Sequence, residues 1–380
     1  MKNGWSQQPI GSVCEVVNGG TPKTGTAEYW GGEHWWITPA EMGKRRTPYM
    51  DCTARTLTDL GLASSSARPL PPHSVILSSR APIGHLVINT EPMSTNQGCK
   101  GLVPSKAVDH KFLYYYLGSI VDLLNALGTG ATFKELSGGK LKEVPVPLPP
   151  VAEQQRIVGV LDEAFEGIAA AKANAEKNLD NARALFESHR NSVFAQRGPD
   201  WLRATVDQIS TNLDSKRVPI TKSDRSSGDY PYYGASGVVD NVAGYIFDGD
   251  ALLVSEDGAN LLMRSSPIAF SVSGKYWVNN HAHILKFENM ATQRFVEHYL
   301  ESIKLDEYIT GAAQPKLNQK ALNSIPIPIP KSVDVQAKIV RGIEALATET
   351  EHLSTIYSRK LAALDELKKS LLHEAFSGRL

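Results

Sequence analysis

Cysteine is scarce in this sequence of 380 residues. Cys14, Cys52 and Cys99 all lie in the first third and show no C-x-x-C spacing. That argues against a metal site or a disulfide framework and for free thiols in a reducing compartment. Net charge is equally lacking, since 40 basic residues cancel 40 acidic ones. Bulk electrostatics therefore cannot hold the chain on a polyanion. A nucleic-acid contact would need local groups such as Lys44-Arg45-Arg46 or Lys216-Arg217, or phosphate contacts supplied by partner chains. No apolar run of about 20 residues occurs, and the opening Met1-Lys2-Asn3-Gly4-Trp5-Ser6 has no apolar core, so neither a membrane span nor a secretory signal is expected. The reading is cytoplasmic. A G-x-x-x-x-G-K-[ST] phosphate loop is missing too; Gly138-Gly139-Lys140 is followed by Leu141 and reads as a turn.

What is present is ordinary globular composition, 42% hydrophobic and 21% charged, in a length that fits two or three domains. It is organised as a repeat. Laid without gaps on Thr310 to Pro330, the stretch Thr129 to Pro149 matches at eight of twenty-one positions, including Gly130/Gly311, Leu136/Leu317, Leu141/Leu322 and the alternating prolines 145, 147 and 149 against 326, 328 and 330. One inserted residue later, Gln154-Gln155-Arg156-Ile157-Val158 meets Gln336-Ala337-Lys338-Ile339-Val340, and Phe194 and Arg197 pair with Phe376 and Arg379. The chain is a two-fold repeat of a globular unit plus a helix. Such a chain can present two similar surfaces related by an approximate dyad, as reading two separated half-sites on a duplex requires.

The pattern divides into residues 1–150, 151–197, 198–330 and 331–380. In the first block, Ser74 to Ser78 and His85 to Ile88 read as strands, and Lys111 to Leu124 as an aromatic helix. Each Pro-x-Pro-x-Pro tract reads as a stiff extended connector, because proline lacks a donor and disfavours helix in the residue before it. From Val151 a proline-free run carries Ile157, Leu161, Ala164, Ile168, Ala171, Ala175, Ala182 and His189 at alternating spacings of four and three, with a gap near Asn178 and another between Ala182 and His189. This is a coiled-coil seam about 65 Å long, and its alanines favour close approach of a second helix. In the third block Thr292 to Tyr308 is helix-like, and a second seam follows in Ile343, Leu346, Thr350, Leu353, Tyr357, Leu361, Leu364, Leu367 and Leu371. The two apolar stripes most simply bury each other. The expected fold class is α+β: two pseudo-repeated mixed α/β domains separated by an antiparallel two-helix coiled-coil spacer.

Several segments in this order resemble one family. They are Gly19-Gly20-Thr21-Pro22 with Tyr29-Trp30, Tyr230-Pro231-Tyr232-Tyr233-Gly234-Ala235-Ser236-Gly237, Ser255-Glu256-Asp257-Gly258-Ala259-Asn260, Asn279-Asn280-His281-Ala282-His283, Thr310-Gly311-Ala312-Ala313-Gln314-Pro315-Lys316-Leu317 and Glu374-Ala375-Phe376-Ser377-Gly378-Arg379-Leu380. With the repeat and both helices, essentially the whole chain is similar to the specificity subunits of type I restriction-modification systems. The resemblance implies that each globular unit is a target recognition domain reading half of a split, asymmetric sequence in double-stranded DNA. It implies a spacer that docks two methyltransferase subunits, and a motor and nuclease subunit that joins for restriction. S-adenosylmethionine, ATP and magnesium would then belong to the partner subunits, with no cofactor in this chain. The residues agree with a non-catalytic role: no Asn-Pro-Pro-Tyr/Phe or Asp-Pro-Pro-Tyr/Phe motif is present to hold a flipped adenine.

Loops mixing glycine with short amides, hydroxyls and a base suit groove reading. The candidate DNA contacts are Thr21, Lys23, Thr24, Tyr29, Ser79, Arg80, Asn96, Gln97, Thr132 and Lys134 in the first unit. In the second they are Lys216, Arg217, Tyr232, Tyr233, Ser236, Asp257, Asn260, His281, Gln314 and Lys316. Arg80 reads either as a base or phosphate contact or as a surface ion pair. Gln314 and Lys316 stand opposite Phe133 and Glu135 across the repeat, so the two halves should read different bases. His281 and His283 alternate as on a strand, yet without a third ligand of obvious spacing they read as hydrogen-bonding rather than metal-binding. Tyr114-Tyr115-Tyr116 reads as core, Trp35-Trp36 as core or stacking surface, and Glu256-Asp257 as a turn or base contact rather than a catalytic pair. The half-sites are expected about one helical turn, ~34 to 36 Å, apart on one face of the duplex. Competing readings are a coiled-coil adaptor without DNA sequence specificity, a recognition subunit of a related restriction system or a silent partner gene product, and an independent enzyme. Seam edges meant for partner subunits would make the isolated chain poorly soluble.

Overall fold

The proline-alternating tracts are strands rather than free connectors. Pro145–Leu148 pairs antiparallel with Ser6–Pro9, and Pro326–Pro330 with Trp201–Thr205. Successive strand residues turn their N–H groups to opposite edges, so prolines at every second position silence one edge and leave the other free to pair. Each ribbon closes its domain by joining first strand to last, with Val146, Ile327 and Ile329 buried beneath.

The computed structural model describes residues 4–45, 47–130, 134–311 and 313–380. In the first domain a five-stranded sheet has the order Cys14–Asn18, Cys99–Pro104, Val75–Ser79, Ile83–Asn89, Tyr49–Met50. The second domain repeats four of these positions as Thr211–Asn212, Ala282–Lys286, Ala251–Ser255, Ala269–Val272. A second sheet accompanies each, of three strands in the first domain and four in the second. In both, one pair is parallel: Trp30–Ile37 with Met93–Thr95, and Ser227–Gly234 with Lys275–Val278. The central strands Val75–Ser79 and Ala251–Ser255 are buried along their whole length, which is why they read as unbroken runs instead of alternating ones.

The aromatic helix expected over Lys111 to Leu124 is two helices, His110–Ser119 and Val121–Leu127. Gly118 and Ser119 are weak helix formers, and Ile120 after them leaves helical geometry at ψ 21°. Asp109 caps the first of the two by accepting from the amides of Lys111 (2.8 Å) and Phe112 (2.9 Å). Asp109→Ala should cost about 1 kcal/mol, read as a lower urea midpoint for the first domain; an unchanged midpoint would show the cap to be idle. Gly138-Gly139-Lys140 opens a helix, Gly138–Glu143, and is not a turn, because Ser137 accepts from the Lys140 amide at 3.2 Å. Asn318 caps Gln319–Ser324 at the same repeat position. The helix-like stretch from Thr292 ends early: Met290–Ser302 is helical and Asp306–Tyr308 forms a separate 3-10 turn.

Both long helices have 45 residues, Val151–Ala195 and Val333–Ser377. Ile157, Leu161, Ile168, Ala175 and Ala182 are buried as the seam requires. Beyond Ala182 the seam departs from expectation, for His189 is exposed while Phe186, Val193 and Phe194 turn inward. On the second helix Leu353 and Leu367 are 38% and 47% exposed. An α-helix of 3.6 residues per turn drifts against a 3.5-residue repeat, so a strict heptad register leaves the buried stripe after a few turns.

The chain forms two compact units, Met1–Asn174 with Lys360–Leu380, and Ala175–Arg359. Within the first, the helices run antiparallel: Arg156 donates to the Leu380 carbonyl (2.8 Å) and Lys172 pairs with Asp365 (2.7 Å). Phe376 stacks edge-on against Phe112 and Tyr116 at 5.2 and 5.3 Å. Within the second, Phe194 shares a core with Val340 and Ile343 and meets Phe295 and Tyr299 at 5.3 and 5.4 Å. Tyr115 and Tyr116 are core residues, as is Trp36. Among the described residues no helix is long and apolar enough to cross a membrane.

Candidate functional site

Where each buried central strand ends, the same hydrogen bonds recur in both domains. The Ser79 amide donates to Gly98 (2.7 Å) and the Leu136 amide to Ser79 (2.9 Å); Glu256 donates to His281 and Leu317 to Glu256, both at 2.8 Å. Asn96 accepts from the Gly98 amide at 2.9 Å, and Asn279 from the His281 amide at 2.8 Å. Isolated β-bridges join Arg80 to Glu135 and Asp257 to Lys316. This shared frame places Arg80 opposite Asp257, Gly98 opposite His281, Lys100 opposite His283 and Glu135 opposite Lys316.

In the first domain the frame is roofed by Gly19 and Gly20. A Cβ on Gly19 would lie 1.8 Å from the Asn96 carbonyl oxygen, and one on Gly20 would lie 2.4 Å from the Ala67 amide. Only glycine permits that approach. It brings the Thr21 hydroxyl to donate to Gln97, so Thr21, Arg80, Asn96 and Gln97 form one cluster. Arg80 and the buried Lys100 flank Glu135 at 3.9 and 3.8 Å. Lys23 and Thr24 are exposed on the same loop, Lys134 is exposed beside Glu135, and Tyr29 is half-buried in the 3-10 turn Ala27–Tyr29. Ser79, at the end of the central strand, is fully buried, and among the described residues its hydroxyl has no hydrogen-bond partner. Thr132 lies outside the described residues.

In the second domain the charges are rearranged around a buried network. Asp214 accepts from His283 Nδ1 (2.5 Å) and from the Ile284 amide (2.9 Å), and His283 Nε2 donates to the Leu317 carbonyl (2.7 Å). Arg217 donates to Glu256 (2.6 Å) and to the Ala282 carbonyl (2.8 Å), and lies 3.7 Å from Asp214. Lys316 approaches Glu256 at 3.1 Å. Burial alone would push both carboxyls up. For Asp214 the bonds from His283 and the Ile284 amide, with Arg217, outweigh it; for Glu256 Arg217, His283 and Lys316 do, and both sit below the usual carboxylate range. Asp214 and Glu256 thus supply the further ligand-type atoms that no spacing in the sequence gave His283, and the three groups lie within 4.8 Å of one another. A cation there would have to displace the Arg217 guanidinium from two carboxylates, so the group is a salt-bridged polar core.

The remaining candidates divide by exposure. His281 projects at the rim, with Nδ1 2.8 and 2.9 Å from the two Asp257 oxygens. Lys216, Ser236, Gln314 and Lys316 are exposed. Arg217 is turned inward, as described. Tyr232 is buried, its hydroxyl against the Ile220 amide (3.1 Å) and the Arg225 guanidinium 4.4 Å above its ring. Tyr233 packs on Phe270 and Tyr276 at 5.9 Å each. Asn260 spends its amide holding Ser265 and Ser266. Lys100, Glu135 and Asp214 complete the two clusters without being sequence candidates. Only Glu135 carries a sequence signal, standing opposite Lys316 with reversed charge.

Residues 2–178 and 200–358 each match the type I restriction modification DNA specificity domain. The MjaIX specificity subunit of Methanocaldococcus jannaschii is 38% identical over 187 residues, covering 48% of this chain and 43% of that protein. A putative type I specificity subunit of Haemophilus influenzae, S.HindORF215P, is 37% identical over 38% of this chain and 37% of its own length. These alignments span less than half of either relative. The EcoprrI specificity subunit of Escherichia coli is 23% identical over 92% of this chain and 89% of its own length. Among solved structures, a chain of a type I R-M system superposes with a TM-score of 0.81 at 16% identity, covering 100% of this chain and 99% of that one. The HsdS subunit from Thermoanaerobacter tengcongensis superposes at 0.65 and 15% identity, covering 100% and 98%. Both support the fold.

Proposed function

Because the chain belongs to the type I restriction modification DNA specificity domain family, we propose that it is the sequence reader and assembly scaffold of a type I restriction-modification complex. Each domain reads one half of a bipartite, asymmetric site in double-stranded DNA. The chain itself performs no chemistry. Two methyltransferase subunits dock on the helical spacer and bring S-adenosylmethionine, and motor and nuclease subunits bring ATP and magnesium. The reading places the chain in the cytoplasm.

The observation that carries this reading is one backbone frame built twice with unlike side chains at its rim. A frame repeated by hydrogen bonds, with Arg80 in one copy and Asp257 in the other, suits two recognition surfaces of different base preference. An adaptor that binds protein alone would not account for two copies of a DNA specificity domain.

The test is to co-express the chain with its methyltransferase and map methylated adenines on host DNA by long-read sequencing. A split, asymmetric motif methylated on both strands is expected. A single continuous motif would sink the two-headed reader, and a stable complex without methylation would make a scaffold the better account.

A further inference from the structure

We propose that Arg80 and His281 are equivalent base-reading groups of opposite hydrogen-bonding polarity. Arg80 takes the acceptor edge of a guanine in one half-site, and His281, oriented by Asp257, takes the amino group of an adenine or cytosine in the other. The assignment rests on the proposed function and sharpens it.

The repeated frame puts both groups over the same spot. In the first domain Gly98 stands where His281 stands in the second, and the space that glycine leaves is covered by Arg80, whose Nε lies 3.2 Å from where a Cβ on Gly98 would be. In the second domain the arginine position holds Asp257, and the side chain at the rim is His281 instead. Arg80 is 35% exposed and His281 48%, whereas Asp257 is 16% exposed and turned to the imidazole.

Polarity follows from the partners. A guanidinium only donates, and its fork matches O6 and N7 of guanine. Glu135, at 3.9 Å, is too far for a good hydrogen bond and leaves the fork free. Both Asp257 oxygens face His281 Nδ1, so in the neutral ring the proton sits on Nδ1 and Nε2 becomes an acceptor. An acceptor at the rim selects an exocyclic amino group, N6 of adenine or N4 of cytosine.

The test uses the assembled methyltransferase complex carrying Arg80→Gln, His281→Ala or Asp257→Asn, with the methylated motif mapped for each. Arg80→Gln should relax one guanine position in one half-site, with discrimination falling about tenfold or more, and leave the other half-site unchanged. His281→Ala should do the same at one adenine or cytosine in the other half-site. Asp257→Asn can donate its amide to Nδ1, which moves the ring proton to Nε2, so preference at that position should shift toward guanine or thymine. Should Arg80→Gln fail to assemble, Arg80→Lys keeps the charge without the fork and should still weaken the guanine preference. Unaltered motifs in variants that assemble overturn the assignment. So does a uniform loss of binding across sequences with a salt slope reduced by about one, the mark of a phosphate contact. A wild-type complex that selects no sequence overturns the proposed function itself.

Discussion

Gln154→Leu should lower the melting temperature of the first compact unit by about 6 to 12 °C and leave the second untouched. Gln154 is fully buried, with its amide donating to the Ala107 and Pro149 carbonyls (2.9 Å each) and its oxygen accepting from the Asp109 amide (2.8 Å). It ties the last strand, the start of the long helix and the N-terminus of the aromatic helix at one point. Leucine fills the volume but strands three backbone groups, each costing about 1 to 3 kcal/mol when left without a partner or water. A loss of about 3 kcal/mol, spread over a unit of this size, gives the stated shift. Gln336, one helix start later in the repeat, donates to Pro330 (2.7 Å) and accepts from Thr292 (2.7 Å), so Gln336→Leu should move only the second transition. Calorimetry of the full chain reads both. A first transition that falls by less than a degree or so would mean that water replaces the amide and that the joint is not held by this side chain.

Arg217→Met is expected to cost the second unit about 3 to 5 kcal/mol near neutral pH, because it removes the cation between two buried carboxylates. The Arg217 side chain is only 14% exposed, and those of Asp214 and Glu256 are 6% and 12%. The pH dependence separates this cause from lost packing. In the wild type both carboxyls are held below their ordinary values, so their contribution is complete above about pH 4 to 5 and disappears as pH falls through the lower folded values. Without Arg217 the Glu256 carboxyl loses its strongest favourable partner against burial and its folded value rises, while Asp214 keeps His283 and the Ile284 amide. The variant is then relieved by protonation, and its deficit should shrink between neutrality and about pH 4.5 in urea denaturation. A deficit of constant size over that range would assign the loss to packing alone.

Much of the architecture was readable from residue order. The 181-residue offset, the proline-free helices and the aromatic pairs Phe194 and Phe376 are patterns in one dimension, and each has its counterpart in space. Errors fell where a local rule met a tertiary partner. The proline tracts read as stiff extended connectors, yet each pairs along one edge, because only that edge needs donors. His189, Leu353 and Leu367 fit a heptad, yet the helix drifts away from it.

The candidate loops were legible because glycine beside hydroxyls and amides marks a surface that backbone must approach closely. Which side chain faces outward was not, since Arg80 and Arg217, or Tyr232 and Tyr29, are equally polar on paper. Arg217 and Tyr232 are drawn inward by Glu256, by Asp214 and by the Ile220 backbone, partners at distances along the chain that no local pattern encodes. Composition and periodicity are properties of neighbours in sequence, and they set the repeat, the helices and the loops. The direction of a side chain at the end of a buried strand depends on which charge the fold brings within about 4 Å of it, and that pairing exists only once the sheet has formed.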